Sequence, residues 1–281
     1  MRITTPPLSE VLVTLERDGI YVLNQILSAG DIEAIRAEAE WFLSAQQPWY
    51  KLGSQGPESF AVVSPRSVPH SALDRSRNIA TLFSNSFFER VCKSYLGNDA
   101  IIDRIIFSRS KASERPITLW HTDQQSEGRL SFKFMLYLTD ASEDTGAFSY
   151  VPGSHAMMRI LLSKAAKQGI PNTDLHTFEQ IVDNFKRFGS DEEKAWFADI
   201  TRHITGDFAS DDHFSVAAKQ GSILLFDTKG MHRGGVVRHG ERLLVRLHCF
   251  EPERRNKRRS WPHRAVNLLR MTLKPNLFGW G

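Results

Sequence analysis

The stretch "LSFKFMLYLTD", residues 130–140, decides the fold. It is rich in aromatic and other apolar residues, and it ends at Asp140, so it reads as a β-strand. Successive side chains of a strand point to opposite faces of its sheet. One face therefore carries Phe132, Phe134 and Leu136, and the other carries Lys133, Met135 and Tyr137.

Similar short runs fill the second half of the chain. They are "AIIDRIIFSRS" at 100–110, "GAFSYVPGS" at 146–154, "GSILLFDT" at 221–228 and "ERLLVRLHCF" at 241–250. Each is bounded by Gly, Asp, Ser or Pro, which is typical of strands joined by turns. Helices followed by many short strands predict an α+β or mainly β fold, with a sandwich or barrel of the jelly-roll type.

Helical patterns dominate the first hundred residues and return once later. "SAGDIEAIRAEAEWFLSAQ" and "NIATLFSNSFFERVCKSYLG" are amphipathic, "GIYVLNQIL" reads as a strand, and residues 47–76 have the polar, Pro- and Gly-containing character of an irregular loop. We expect one domain, with N-terminal helical support at 1–100, a jelly-roll core at 101–155 and 206–250, a helical insertion or lid at 156–205 and a basic segment at 251–281.

Composition excludes several classes of protein. The only two cysteines, Cys92 and Cys249, are far apart in the sequence. They form no disulfide framework and fit a reducing cytoplasm. There is no apolar run of membrane-spanning length and no secretory signal, so we expect a cytoplasmic protein. The net charge is only +4 despite the basic stretch at 253–264. Because no nucleic-acid motif accompanies that stretch, we expect no nucleic-acid partner.

Three residues have the chemistry of a metal site. His121 and Asp123 are two places apart, so they share one face if the strand persists there. His232 lies in "LLFDTKGMHRGG", just past a β-run and beside glycines that leave room for an open metal position. Two imidazoles and one carboxylate suit non-haem Fe(II) that must also bind a co-substrate and O2. The other histidines, including His176 in the insertion, are interpreted as surface or packing residues.

An arginine follows His232, the distal candidate histidine, on the next predicted strand. If the co-substrate is a 2-oxo diacid, its far carboxylate needs a cation, and the planar guanidinium of arginine pairs with carboxylates in a bidentate way. Arg242 comes ten residues after His232, and Arg246 shares its strand face as the second choice. An arginine on an apolar strand is costly to bury unless it is paired.

The combined pattern resembles the phytanoyl-CoA dioxygenase family. The resemblance rests on "WHTD", on "TGAFSYVPGSH", on the distal histidine with its arginine ten residues later, on "LHCF", and on the opening "ERDGIYVLNQILSAGDIEAIRAEAE". These features extend from about residue 8 to residue 250. The family consists of Fe(II)- and 2-oxoglutarate-dependent oxygenases on a double-stranded β-helix, a cupin-like form of jelly roll.

The resemblance implies a role for each candidate residue. His121, Asp123 and His232 would bind iron, and Arg242 would bind the far carboxylate of 2-oxoglutarate. Many relatives have a hydroxyl residue two places after the distal histidine, where this chain has Gly234, so that contact must come from elsewhere or be missing. Similarity to the cavity-lining strand of the family implies that three side chains face the cavity: Lys133, Met135 and Tyr137. For Tyr137, a place in the core is the alternative.

The ligand set excludes one class of reaction but does not determine which of the others occurs. Because Asp123 is present, a halogenase, in which a small residue replaces the carboxylate, is not expected. Hydroxylation of a small organic molecule, with release of succinate and CO2, is the expected outcome. Desaturation, cyclisation and epimerisation use the same ligands and stay open. The alternatives are a cupin-like metalloenzyme without 2-oxoglutarate, and a nucleic-acid-binding protein that uses its basic segment. The pattern does not predict the oligomeric state.

Overall fold

The computed structural model describes residues 1, 3–45, 47–64, 75–123, 131–171, 174–204 and 213–250. The basic segment at 251–281 lies outside this range. Seven helices are present in the described part: α1 (Leu8–Asp18), α2 (Ala29–Ser44), α3 (Arg77–Phe83), α4 (Ser86–Leu96), α5 (Ser154–Lys167), α6 (Phe178–Phe188) and α7 (Asp191–Thr201). None of these helices is both long and apolar enough to span a membrane.

The strands form two antiparallel sheets. In chain order they are β1 (Ile20–Leu23), β2 (Lys51–Gln55), β3 (Glu58–Val63), β4 (Ile101–Lys111), β5 (Ser131–Tyr137), β6 (Phe148–Tyr150), β7 (Ser215–Val216), β8 (Ile223–Asp227), β9 (His232–Gly234) and β10 (Glu241–Phe250). The larger sheet has the order β1-β8-β5-β10-β4-β3-β2, and the smaller has the order β7-β6-β9. The mainly antiparallel β architecture with flanking helices agrees with the prediction.

The two faces of β5 bury different sets of side chains, as the alternation predicts. Phe132, Phe134 and Leu136 belong to the largest apolar cluster, together with residues of α1, α2, α3 and α4. Met135 and Tyr137 belong to a separate cluster on the inner face, with residues of β6, β8 and β10. The N-terminal helices therefore cover the outer face of the large sheet, and the inner face is left for the site.

The first hundred residues supply strands as well as helical support. Residues 47–76 were expected to be an irregular loop, but β2 and β3 form a hairpin there, and β3 pairs with β4. The turn between them is made by Gly56, whose φ of +54° is readily adopted by glycine. This hairpin extends the large sheet and brings Glu58 into its inner face.

The insertion between β6 and β7 is built around its own apolar cluster. Helices α5, α6 and α7 contribute Met157, Leu161, Ile181, Phe185 and Phe197, and this cluster also includes Trp120 and Met231 from the segments that precede the two candidate histidine ligands. Backbone hydrogen bonds complete the attachment, because Phe178 N donates to Trp120 O at 3.3 Å. The insertion is therefore packed directly against the candidate site.

Candidate metal centre and co-substrate pocket

His121 and His232 are brought together by backbone pairing. Each residue donates its N–H to the carbonyl of the other at 2.9 Å, as in a narrow antiparallel bridge. The two imidazole ring centres lie 4.3 Å apart. Asp123 is held on the same side because its N–H donates to Thr228 O at 3.0 Å, in the turn after β8. Backbone hydrogen bonds from residues 121–123 to Thr228 and His232 thus place the three predicted ligands side by side.

The turn that carries His232 is fixed by a buried aspartate at the end of β8. Asp227 is fully buried, and its Oδ1 accepts a hydrogen bond from Lys229 N at 2.8 Å. Its Oδ2 accepts one from the Tyr95 hydroxyl at 2.8 Å, and Arg159 of α5 forms an ion pair with the same oxygen. Buried polar groups with several partners are rigid. Asp227 therefore anchors the ligand-bearing turn to both α4 and α5.

Both imidazoles are oriented with one particular nitrogen toward the centre. His121 Nδ1 lies 2.7 Å from Leu119 O, and His232 Nδ1 lies 2.8 Å from Gly230 O. Since a carbonyl only accepts, each Nδ1 carries a proton, so in the neutral imidazole the lone pair lies on Nε2. The two Nε2 atoms lie 3.8 and 3.7 Å from Asp123 Oδ1. This tautomer and this backbone support are typical of metal-binding histidines.

The charges of the site favour a cation between these groups. Burial raises the pKa of Asp123, but Lys133, His232 and His121 outweigh it and hold that pKa well below its ordinary value. Burial and the neighbouring His232 lower the pKa of His121 to about 3. The set therefore offers one carboxylate and two imidazoles, with ligand atoms all within 4.8 Å of one another. These donors fit a facial two-histidine, one-carboxylate iron site, which leaves positions open for other ligands.

Arg242 lies in the wall of the same cavity. Only 3% of the residue is exposed, and its Nη1 donates to Gly146 O at 2.8 Å. Within the described residues, its Nε has no hydrogen-bond partner. Its Nη2 lies 3.8 Å from Glu58 Oε1, which is too long for a hydrogen bond. Buried guanidinium groups are normally well paired, so Arg242 is suited to receive an anion.

Arg246, the second candidate, already has a partner. Its Nη2 donates to Glu58 Oε2 at 3.1 Å, and it lines the cavity four residues further along β10. Within the described residues, the Nε of Arg246 also lacks a hydrogen-bond partner. The two arginines differ in that Arg242 is the more deeply buried and has its nearest carboxylate at 3.8 Å, whereas Arg246 has one within hydrogen-bond distance.

A hydroxyl group lies beside Gly234 although the glycine has none. A Cβ at Gly234 would approach Ile117 Cβ to 2.9 Å, so a side chain there would collide with the wall. Instead, the Gly234 N–H donates to Thr118 Oγ1 at 2.7 Å, and Thr118 lines the cavity. Thr118, in the segment before His121, thus places a hydroxyl beside Gly234.

A family profile described as Phytanoyl-CoA dioxygenase (PhyH) matches residues 15–240. The chain belongs to the phytanoyl-CoA dioxygenase family. No curated protein matched the sequence. The match includes all three candidate ligands and ends two residues before Arg242, so the family assignment does not depend on that arginine.

Several solved structures have a similar fold. The 2-oxoglutarate-dependent epimerase SnoN of nogalamycin biosynthesis has a TM-score of 0.56 at 16% identity, covering 87% of this chain and 80% of its own. HygX from Streptomyces hygroscopicus, crystallised with nickel and 2-oxoglutarate, has a TM-score of 0.52 at 16% identity and 85% coverage of both chains. EctD from S. alaskensis with bound Fe has a TM-score of 0.52 at 17% identity, covering 86% of this chain and 75% of its own.

The cavity of this family member has a volume of about 530 Å³. Its lining combines the candidate ligands and arginines with an apolar wall that includes Phe60, Met135, Phe148 and Phe226. Lys133 and Met135 line it, as the resemblance implies. Tyr137 shares their face but lies beyond the cavity wall, fully buried in the inner apolar cluster, with its hydroxyl 3.3 Å from Phe148 N. Tyr137 is therefore a core residue.

Sequence reasoning missed two polar residues of the cavity. His176 was interpreted as a surface or packing residue, but it lines the cavity with its ring centre 5.4 Å from that of His121. Its Nδ1 contacts Thr122 O between the two ligands of the His-x-Asp motif. Glu58 lay in the segment interpreted as a loop. No local pattern marks either residue, because both reach the site only through long-range packing.

Proposed function

We propose that the protein is an Fe(II)- and 2-oxoglutarate-dependent oxygenase that hydroxylates a small organic molecule, with release of succinate and CO2. The observation that carries this proposal is the buried, incompletely paired guanidinium of Arg242 in the same cavity as the His121, Asp123 and His232 cluster. A metal cluster alone would fit many reactions. A metal cluster and an arginine in one pocket fit a co-substrate that has a chelating keto acid at one end and a carboxylate at the other.

Each residue of the pocket would have a defined role. His121 and His232 would bind iron through Nε2, and Asp123 through Oδ1. Bound iron would supply the redox chemistry that couples O2 to the oxidative decarboxylation of 2-oxoglutarate. Arg242 would receive the far carboxylate, and the Thr118 hydroxyl would donate to the same group in place of a residue at 234.

The rest of the cavity would hold the organic substrate. Met135, Phe148 and Phe226 exclude water from one side, and His176 and Thr177 approach from the insertion on the other. A volume of about 530 Å³ is in the range of small-molecule sites. The strand arrangement, with a large and a small antiparallel sheet around this cavity, supports a jelly roll of the double-stranded β-helix type.

Hydroxylation is proposed as the simplest outcome of this ligand set. The similar structures include an epimerase, SnoN, and a carbocyclase, SnoK. Structures of SnoN with nogalamycin RO and of HygX with hygromycin B show that those relatives take small organic molecules. Epimerisation, cyclisation and desaturation remain alternatives for this chain. A metalloenzyme without 2-oxoglutarate is the less favoured alternative because it would leave Arg242 without a ligand.

Binding and turnover experiments test the proposal. The wild type should bind one Fe(II) per chain without oxygen, and 2-oxoglutarate only after the metal. With oxygen it should convert 2-oxoglutarate to succinate, faster when the organic substrate is present. His121→Ala should lose most Fe(II) affinity and the metal-dependent turnover. His203→Ala, an exposed histidine, is the matched control and should behave as the wild type. Full activity of His121→Ala would contradict the metal assignment.

A further inference from the structure

An acidic side chain lies opposite Arg242 in the wall of the co-substrate pocket. Glu58 on β3 and Arg242 on β10 both pair with Ser110 of β4, so they share one line across the sheet. Glu58 is only 5% exposed and lines the cavity. A buried acid at this position is unexpected, because a negatively charged co-substrate group has to bind next to it.

Glu58 divides its two oxygens unequally between two arginines. Oε2 accepts a hydrogen bond from Arg246 at 3.1 Å, whereas Oε1 lies 3.8 Å from Arg242 Nη2. Within the described residues, Oε1 has no hydrogen-bond partner. A shift of about 1 Å would bring it within hydrogen-bond distance of Arg242. Burial raises the pKa of Glu58, but the charges of Arg246 and Arg242, together with the nearby hydroxyl of Ser108 and the hydrogen bond from Arg246, outweigh that effect and hold the pKa below its ordinary value.

We infer that Glu58 is an internal competitor of the far carboxylate of 2-oxoglutarate, and that Arg246 restrains it. The inference rests on the proposed function, because it requires that carboxylate at Arg242. In the protein without co-substrate, Glu58 partly compensates the charge of Arg242. When the co-substrate binds, two carboxylates compete for one guanidinium, and repulsion between them lowers the affinity.

Arg246 is then a positioning residue for the co-substrate pocket. Its hydrogen bond holds Glu58 Oε2 at Arg246. Without that bond, the whole carboxylate is free to turn to Arg242, the nearest remaining cation. The effect of Arg246 on the co-substrate therefore passes through Glu58, and it disappears when Glu58 carries no charge.

Anaerobic titrations of the Fe(II)-loaded protein test this coupling. The probes are 2-oxoglutarate and 2-oxopentanoate, which has the same five-carbon chain with a methyl group in place of the far carboxylate. Glu58→Gln should bind 2-oxoglutarate about tenfold more tightly than the wild type, and Arg246→Met about tenfold more weakly. In the Glu58→Gln background, Arg246→Met should have little further effect. The affinity for 2-oxopentanoate should be similar in all four proteins.

The outcomes separate this inference from the proposed function. A wild type that binds Fe(II) but no 2-oxoglutarate contradicts the proposed function itself. A wild type that binds 2-oxoglutarate while Glu58→Gln binds it equally or more weakly overturns the inference alone. The inference is also overturned if Arg246→Met weakens 2-oxoglutarate binding equally with and without the charge of Glu58. It is overturned as well if the affinities for 2-oxoglutarate and 2-oxopentanoate change alike, because a general loss of structure would have that effect. Fe(II) stoichiometry and thermal unfolding of each variant identify a protein that has failed to fold.

Discussion

Lys133 forms an ion pair with Oδ2 of Asp123, the oxygen that faces away from the two histidines. Oδ1 of the same carboxylate lies 3.7 Å from His232 Nε2. The lysine is buried on the inner face of β5, so its position is fixed by the sheet. This pairing leaves one oxygen of Asp123 available to bind a metal, because Lys133 holds the other.

Lys133→Met should weaken Fe(II) binding by about tenfold near neutral pH, in line with other groups that support metal ligands from behind. The loss should grow in mild acid, because Lys133 is the largest of the charges that keep the pKa of Asp123 low. Anaerobic Fe(II) titrations near neutral pH and in mild acid measure this effect. Lys219→Met removes a lysine whose partner, Asp140, is on the surface, and it should leave Fe(II) affinity unchanged. Equal affinities of the two variants would show that Lys133 does not support the ligand.

Arg242 and Arg246 should differ strongly in their effect on the co-substrate. Arg242→Ala should raise the KM for 2-oxoglutarate by about 10²-fold, because a charge-assisted contact to a buried guanidinium is lost. Arg246→Ala should raise it by about tenfold or less, since Arg246 acts on the pocket through Glu58. Steady-state kinetics with varied 2-oxoglutarate make the comparison. A larger defect in the Arg246 variant would reverse the assignment of the two arginines.

The metal-free protein should lose stability as the pH falls. The pKa of His121 is lowered by burial and by His232 from 6.5 to about 3. Between these values an unfolded His121 binds a proton and the folded one does not, so protonation favours unfolding. Its contribution to the free energy of unfolding should therefore decrease by about 1.4 kcal/mol for each pH unit below 6.5.

Urea unfolding of the metal-free wild type and of His121→Asn over that pH range isolates this contribution. The variant should show a shallower dependence of unfolding free energy on pH, by about the slope of one proton. Parallel curves for the two proteins would mean that His121 takes up its proton in the folded state as readily as in the unfolded one.

Much of the fold could be predicted from local patterns. The alternation in β5 predicted that Phe132 and Phe134 lie on one face and Met135 on the other, because successive side chains of a strand point to opposite faces. The β2–β3 hairpin could not be predicted in this way. Most side chains of Lys51–Gln55 are exposed, so they show no burial pattern, and the hairpin is ordered through the pairing of β3 with β4.

The site shows the same division between local and long-range information. The three candidate ligands, which the structure brings together, could be selected from the sequence because their types and spacing are chemically specific. Glu58 was missed because its hydrogen-bond partner, Arg246, is 188 residues away, and only the strand order brings the two together. His176 was missed because a single histidine in a helical segment has no local signature of a cavity residue. Tyr137 was assigned to the cavity because the alternation along β5 predicts the face of a side chain, but not how far along the strand the cavity extends.

The insertion should respond to metal through its contact with the segment between His121 and Asp123. Thr122 lies between these ligands, its N–H donates to His176 O at 2.9 Å, and its hydroxyl donates to Leu175 O at 3.0 Å. A metal bound to His121 and Asp123 would fix the backbone on both sides of Thr122, and so would also restrain residues 175–178.

Segments that cover active sites are drawn from the less stable parts of a fold. In the metal-free protein, amides of α6 should therefore exchange faster than those of β5 and β8. Addition of Fe(II) and 2-oxoglutarate should slow exchange in α6, with α1, on the far side of the large sheet, as the internal control. Thr122→Val removes the hydroxyl contact and should reduce this slowing while Fe(II) still binds. Hydrogen exchange read by mass spectrometry measures all three effects. Exchange in α6 that ignores both ligands would make the insertion a fixed outer wall.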